Sequence, residues 1–272
     1  MAQSKEESGK RYNASPVFDE YARYYDLLYQ DKDYQAEADY VASLIRRFHP
    51  HARFILELGS GTGIHASILA KQGFYVYGVE RSPEMLSRSL NLLENTNQAE
   101  RQRLSFVLGD IRNIRLSKRF DAVMALFHVI SYQTTNDDVI AAFRTAREHL
   151  NPDGLFIFDI WYGPAVLTQR PEVRIKRIAD EKIEVTRIAE PVLYPNENLV
   201  DVNYHIFVRD RETDNVKELK ETHVMRYFFQ PEIDRIADQS GFSVLHAEEW
   251  MTGNPLDQNT WGAVIILRAS VG

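Results

Sequence analysis

The chain has 272 residues, no cysteine, and a formal net charge of -7 from 32 basic and 39 acidic side chains. That length suits one large domain, or one domain with an elaboration, and the lack of cysteine excludes disulfides, thiolate metal sites and cysteine nucleophiles. The acidic balance argues against nucleic acid as a partner, since binding a phosphate backbone rests on Lys and Arg. No apolar run approaches the roughly 18 residues that cross a bilayer.

Met1 to Lys10 is polar and charged, without the apolar stretch of a secretory signal. Residues 1–15 are expected to be a disordered lead-in, and the protein cytoplasmic. From Phe18 to Phe48, aromatic and aliphatic residues recur at helical spacing, which predicts two helices divided near Asp31 to Asp33. Strands follow at Arg53–Leu58, Tyr75–Glu80, Leu104–Leu108, Asp121–Leu126 and Leu155–Ile160, with helices at Ile64–Gln72, Pro83–Glu94 and Asp137–Leu150 between them. Asn151-Pro152-Asp153-Gly154 reads as a helix terminator and turn. Such alternation implies a doubly wound, mostly parallel α/β sheet.

The rhythm changes at Val173–Ile178, Ile183–Val192, Leu199–Val208 and Glu218–Phe229, strand-like runs with turn residues between them and no helix. They predict an antiparallel β insertion over residues 173–229. A helix at Pro231–Ser240 and strands at Phe242–Trp250 and Thr260–Arg268 complete the chain. Residues 16–172 and 230–272 then form one α/β domain with an N-terminal helical cap.

The most informative segment is Phe54-Ile55-Leu56-Glu57-Leu58-Gly59-Ser60-Gly61-Thr62-Gly63, a strand running into a glycine-rich turn and a helix. Ligands of α/β sheets bind at the carboxyl ends of strands, and glycine lets backbone approach where a Cβ would collide. A dinucleotide G-x-G-x-x-G motif starting at Gly59 needs glycine at position 64, which is Ile64, so a dehydrogenase is disfavoured. Glu80 ends the second strand, where a carboxylate can accept from both hydroxyls of a ribose. Arg81 follows it. Ser82-Pro83-Glu84-Met85 starts a helix with an N-cap and proline at the first position. Asp110 and Ile111 end the third strand, and Phe120 to His128 forms a fourth with an open end.

The acidic-x-Gly-x-Gly-x-Gly loop and these motifs, in this order, resemble class I S-adenosylmethionine (SAM)-dependent methyltransferases, whose sheet has seven strands. The resemblance implies SAM as cofactor, held by Glu57, Gly59, Gly61, Gly63, Glu80, Arg81, Met85, Asp110 and Ile111. Met85 would pack on adenine, Asp110 would accept its amino proton, and the Ile111 N–H would reach a ring nitrogen. Backbone near Ala125 would meet the methionine portion, and Tyr25 would close over the cofactor from the cap. More narrowly, Tyr25-Asp26-Leu27-Leu28-Tyr29, Lys32-Asp33-Tyr34, Ala36-Glu37-Ala38, Gly61-Thr62-Gly63-x-His65, Glu221-Thr222-His223 and Phe229-x-Pro231-Glu232 look like those of methyltransferases acting on nucleotide-linked amino sugars. Such enzymes N-methylate, often N,N-dimethylate, a 3-amino group on a TDP-linked deoxysugar. The long, charged insertion, Ile160 to Pro164 and Trp250 to Gly253 depart from that pattern and leave the acceptor open.

A neutral amine attacks an activated methyl once it is aligned. A hydroxyl needs a base or a metal, and no metal cluster is apparent in the sequence. Tyr29, His128 and His223 are the candidate catalytic residues. Each also has a plain structural reading, as a core tyrosine, a helix-start histidine or a satisfied sheet histidine. His65 is expected to brace the glycine turn. Arg170, Arg174, Lys176 and Arg177 are candidates for a diphosphate, or are solvated strand-edge charges. Three readings stand: an N-methyltransferase for a nucleotide-linked amino sugar, an O-methyltransferase using His128 or His223 as base, and a non-catalytic SAM-binding protein. The partner is a small-molecule acceptor rather than nucleic acid or membrane. The insertion would serve as acceptor lid, homodimer surface or both.

Overall fold

The computed structural model describes residues 22–270, so the expected lead-in lies outside the described residues. Helices α1 (Ala22–Leu28) and α2 (Tyr34–Phe48) open it, with the break at residues 29–33. Asp33 caps α2 by accepting the Ala36 N–H at 2.9 Å, which satisfies one of the donors a helix start leaves unpaired. Val41, Leu44 and Ile45 recur on one face of α2 and bury against Ile55, Leu69 and Val264 of the α/β core.

The alternation then runs β1 (Phe54–Leu58), α3 (Ile64–Lys71), β2 (Tyr75–Glu80), α4 (Pro83–Glu94), the single turn α5 (Gln98–Arg101), β3 (Leu104–Leu108), β4 (Phe120–Ala125), α6 (Asn136–Glu148) and β5 (Leu150–Tyr162). These five strands are parallel, in the order β3-β2-β1-β4-β5. After α7 (Gly163–Gln169) come β6 (Arg174–Ala179), β7 (Ile183–Tyr194), β8 (Leu199–Asp210) and β9 (Val216–Phe228), followed by α8 (Gln230–Gln239), β10 (Phe242–Glu249) and β11 (Gly262–Ala269). β11 lies antiparallel on β5 and β10 antiparallel on β11, which makes seven α/β strands in the order β3-β2-β1-β4-β5-β11-β10. Ile55, Leu56, Val123 and Phe158 are fully buried, as expected of strands covered by helices on both faces. The chain moves outward from β1 to β3 and returns to β4, so a crevice opens at the carboxyl ends of β1 and β4.

Strands β6 to β9 form an antiparallel meander. It joins the α/β sheet where β9 runs parallel to the far end of β5, pairing Trp161 with Tyr227 and Tyr162 with Phe228. Alternate residues of a strand share a face. On this meander Val185, Ile206 and Val208 use that face to bury Tyr25 and Leu28 of α1 and Met85 of α4. The cap helix thus lies between the meander and the crevice.

Two local features differ from the sequence expectation. Helix α6 ends at Glu148, and Asn151 to Gly154 falls inside β5 instead of forming a separate turn. Leu150 is fully buried and already pairs with Phe120, so the sheet takes up the chain early. The register slips between Phe120 and Ala122, and Asp153 adopts φ 61° to absorb the extra residues. Helix α7 was not anticipated. Its Pro164 sits in the first turn, where a missing N–H breaks no helical bond.

Candidate active site

A cavity of about 360 Å³ lies at the crevice, beneath the cap and beside the meander. Its floor is the β1–α3 loop. Gly61 has φ 55° and lines the cavity, and a Cβ built there meets nothing within 4 Å. Its N–H donates to Glu80 Oε2 at 2.8 Å. Gly63 is needed for another reason: with φ 80°, a Cβ would lie 2.7 Å from Phe106 Cζ and 3.0 Å from Ser89 Cβ. One glycine leaves space for a ligand and the other leaves space for the core.

Two carboxylates flank the loop. Glu57, at the end of β1, is 2% exposed, and its Oε2 has no hydrogen-bond partner. Burial, with repulsion from Glu80, pushes its pKa well above the carboxylate range. Glu80 ends β2 and accepts the N–H groups of Arg81 at 2.8 Å and Ser82 at 2.7 Å on Oε1. Burial still raises its pKa, although those bonds and the Gly61 N–H oppose the shift. Ser82 in turn caps α4 by accepting the Met85 N–H at 3.3 Å, which sets buried Met85 on the cavity wall that Ile111 also lines. Asp110 is gripped by Arg112, whose Nη2 lies 2.6 Å from Oδ2 and whose Nη1 reaches Asp138 at 2.9 Å. Burial disfavours the Asp110 charge, but Arg112 outweighs it and holds the pKa below the carboxylate range.

The cap is tied down from two sides. His65 Nε2 meets Glu37 Oε2 at 2.8 Å, and Lys32 closes on the same carboxylate while lying 4.1 Å from the Phe127 ring centre. His65 therefore braces α3 against α2. Burial lowers its pKa despite Glu37. Tyr25, Tyr29 and Phe127 form an aromatic cluster with ring centres 4.6–6.5 Å apart, and Tyr29 Oη accepts from Arg187 Nη1 at 3.1 Å.

Of the residues singled out in the sequence, Tyr25, Glu57, Gly59, Gly61, Glu80, Arg81, Met85, Asp110 and Ile111 line one cavity. Gly63, Ala125 and Tyr29 lie outside that lining. His128 also lies outside it, between Phe127 and Val129, which are part of it. Phe127 and His128 both have φ 64°, an uncommon conformation for side chains of this size. The His128 N–H donates to Asp159 Oδ2 at 3.1 Å, and Nδ1 lies 2.7 Å from the same oxygen at an angle short of a hydrogen bond. His223 stands behind Tyr132, with Nδ1 2.8 Å from the phenol oxygen and Nε2 3.2 Å from Glu221 Oε2. Arg170, Arg174 and Arg177 are exposed, Lys176 pairs with Asp31 at 2.6 Å, and none of the four lines the cavity.

Sequence reasoning gave no site role to Tyr34, although it lies in one of the motifs quoted above, and passed over Arg112, Tyr132 and Asp159. Asp159 was within reach, because it lies near the end of β5 just as Glu57 and Glu80 lie at the ends of theirs. Tyr132 sits on a 3-10 turn (Val129–Tyr132), and Arg112 in a loop, where no periodicity marks a residue. Among the described residues, no three His, Asp or Glu side chains are grouped to hold a metal ion, and no helix is long and apolar enough to cross a membrane.

The cavity fits a cationic nucleoside. Glu57 presents a buried carboxylate oxygen that lacks a donor, Ser60 Oγ is likewise buried and unpartnered, and the space beside Gly61 is open. A group with positive charge and hydrogen-bond donors would satisfy both oxygens. Glu80 and Asp110 would face ribose hydroxyls and adenine, with Met85 and Ile111 against the base. Residues 55–154 match a methyltransferase domain. The N,N-dimethyltransferase of Streptomyces fradiae for dTDP-3-amino-3,6-dideoxy-alpha-D-glucopyranose is 30% identical over 240 residues, 87% of each chain. That of Streptomyces venezuelae for dTDP-3-amino-3,4,6-trideoxy-alpha-D-glucopyranose is 28% identical over 238 residues, covering 87% of this chain and 94% of that one. The crystal structure of Streptomyces venezuelae DesVI matches with a TM-score of 0.74 at 26% identity, over 90% of this chain and 97% of the other. With its glycine loop, strand order and carboxylates in place, the chain belongs to the SAM-dependent methyltransferases and is an enzyme that uses S-adenosylmethionine as its cofactor.

Proposed function

We propose that the enzyme methylates the amine of a nucleotide-linked amino sugar. The observation that carries this reading is the continuity of the cavity: Glu57 and Gly61 at one end share it with Glu197, Leu199, Thr222 and Val224 of the meander at the other. The meander, residues 173–229, is therefore read as the acceptor lid. The likeness to amino-sugar N,N-dimethyltransferases over most of both chains supplies the acceptor class.

Bound SAM supplies an activated methyl group on a sulfonium sulfur. The protein's own part is placement. Glu57 and Glu80 anchor the cofactor, the Tyr25–Phe127–Tyr29 cluster excludes water from above, and the meander orients the acceptor. Alignment of this kind contributes up to about 7–11 kcal/mol in favourable intramolecular models.

Isothermal titration with S-adenosylhomocysteine, followed by TDP- and GDP-linked amino sugars and their hydroxyl analogues, tests the assignment. A second heat and methyl transfer with amino sugars alone are expected. Transfer only to hydroxyl sugars would replace this reading with O-methylation, which the His128–Asp159 contact favours. In that case His128→Ala should abolish turnover. Cofactor binding without turnover on any acceptor would favour a binding protein.

A further inference from the structure

We propose that Tyr132, His223 and Glu221 form a relay that takes a proton from the acceptor, with Tyr132 as the residue that touches it. The proposal rests on the amine reading above. Tyr132 lines the cavity from the 3-10 turn after β4, and its hydroxyl is 2.8 Å from His223 Nδ1. His223 Nε2 is 3.2 Å from Glu221 Oε2. Glu221 and His223 are two apart on β9, so strand alternation brings both to one face. The side chain of His223 is 2% exposed and that of Glu221 11%.

An ionised carboxylate only accepts hydrogen bonds, so Glu221 places the imidazole proton on Nε2 and leaves Nδ1 to accept from the phenol. Packing fixes the ring, with Tyr204 4.7 Å and Tyr132 5.8 Å away between ring centres. Burial keeps His223 neutral near pH 7 and holds the Tyr132 phenol protonated. A phenol oxygen can accept on its lone pairs while its hydrogen points to the imidazole. The other groups facing the relay are Arg187 from β7, whose guanidinium lies 4.8 Å from the Tyr204 ring centre, Tyr204 from β8, and Tyr29 from the turn after α1. Arg187 opposes a second positive charge here and Glu221 favours one, which suits a base that gives its proton up again.

A sugar amine is largely an ammonium ion at neutral pH and has no lone pair for methyl transfer. In the relay, the ammonium proton passes to Tyr132 Oη while the phenol's own proton moves to His223 Nδ1. The N–H electron pair stays on the acceptor nitrogen, the phenol is regenerated, and the positive charge ends on the imidazole beside Glu221. Methylation makes the nitrogen cationic again. A second methylation therefore requires the same step, after the imidazole has released its proton to solvent.

The test compares wild type, Tyr132→Phe and His223→Asn with dTDP-3-amino-3,6-dideoxy-alpha-D-glucopyranose at saturating SAM, from pH 6 to 10. At pH 7 both variants should lose about 100-fold in kcat, within the usual range for acid–base groups, and recover most of it at high pH, where the amine is already neutral. S-Adenosylhomocysteine affinity should stay unchanged. Wild-type rates, or a loss independent of pH, would overturn the relay. Nitrogen-15 spectra of the imidazole give a second readout that needs no turnover. The Nε2–H tautomer with a bare Nδ1 is expected, and an Nδ1–H tautomer overturns the relay. If wild type methylates only the hydroxyl analogue, the amine reading fails and the relay is judged with the same variants on that substrate.

Discussion

Gly61 and Gly63 lie two residues apart in one loop, yet replacing each with alanine should damage different properties. Both have left-handed backbone angles, φ 55° and 80°, which cost an alanine about 1–2 kcal/mol. At Gly61 nothing else is disturbed in the folded protein, because no atom lies within 4 Å of the new Cβ and the N–H bond to Glu80 is kept. Tm should fall by about 2–8 °C, at roughly 2–4 °C per kcal/mol. The new methyl instead occupies cofactor space, and an overpacking penalty of about 2 kcal/mol weakens S-adenosylhomocysteine roughly 30-fold. At Gly63 the Cβ meets Phe106 at 2.7 Å and Ser89 at 3.0 Å. That adds about 1–3 kcal/mol of strain and lowers Tm by about 4–20 °C in all, while cofactor affinity in the folded fraction changes only a few-fold. Thermal unfolding and isothermal titration on both variants separate the effects. Wild-type affinity in Gly61→Ala would refute the assignment of that open space to the cofactor.

Glu57→Gln should stabilise the protein in the absence of cofactor by about 1–3 kcal/mol at pH 8, the penalty of one buried unsatisfied group, and should weaken S-adenosylhomocysteine. A carboxyl whose pKa is raised on folding favours the folded state most when protonated. Its stabilising contribution is complete below the ordinary value of 4.5 and is lost as pH rises through the folded value. The Tm advantage of the variant should therefore vanish near pH 4, and an equal advantage at pH 4 and 8 would contradict this account. Arg226 joins β9 to the starts of α6 and α8 through Asn136, at 2.6 Å, and Glu232. Its side chain is 7% exposed, so Arg226→Met should cost about 3 kcal/mol by leaving a partly buried carboxylate unpaired. Urea unfolding would measure the loss, and an unchanged midpoint would show that the pair contributes nothing.

The α/β part of this protein was legible because each signal was local. Strand and helix alternation, the Ser82-Pro83 cap, and the acids closing β1, β2 and β3 follow from propensity and spacing within about ten residues. Those segments carry the resemblance to SAM-dependent methyltransferases, which marked nine of the residues that line the cavity. The four meander strands were also legible, because turn residues punctuate them. The ends of β5 were not, since a Pro-Asp-Gly turn signal gave way to the burial of Leu150.

The acceptor side depends on contacts between residues far apart in the chain. Tyr132 and His223 are 91 positions apart, and Tyr29 and Arg187 are 158 apart. No window of sequence can register such pairs, because they exist only once β9 has joined β5 and the meander has folded over the cap. The sequence by itself therefore determined the cofactor and the sheet that holds it, since a nucleoside site at strand ends is built from short segments in a set order. Only the tertiary structure decided which carboxylate backs each histidine, which tyrosines reach the cavity, and which glycine faces the ligand rather than the core. Those outcomes depend on where separate elements meet, and packing rather than local propensity sets that.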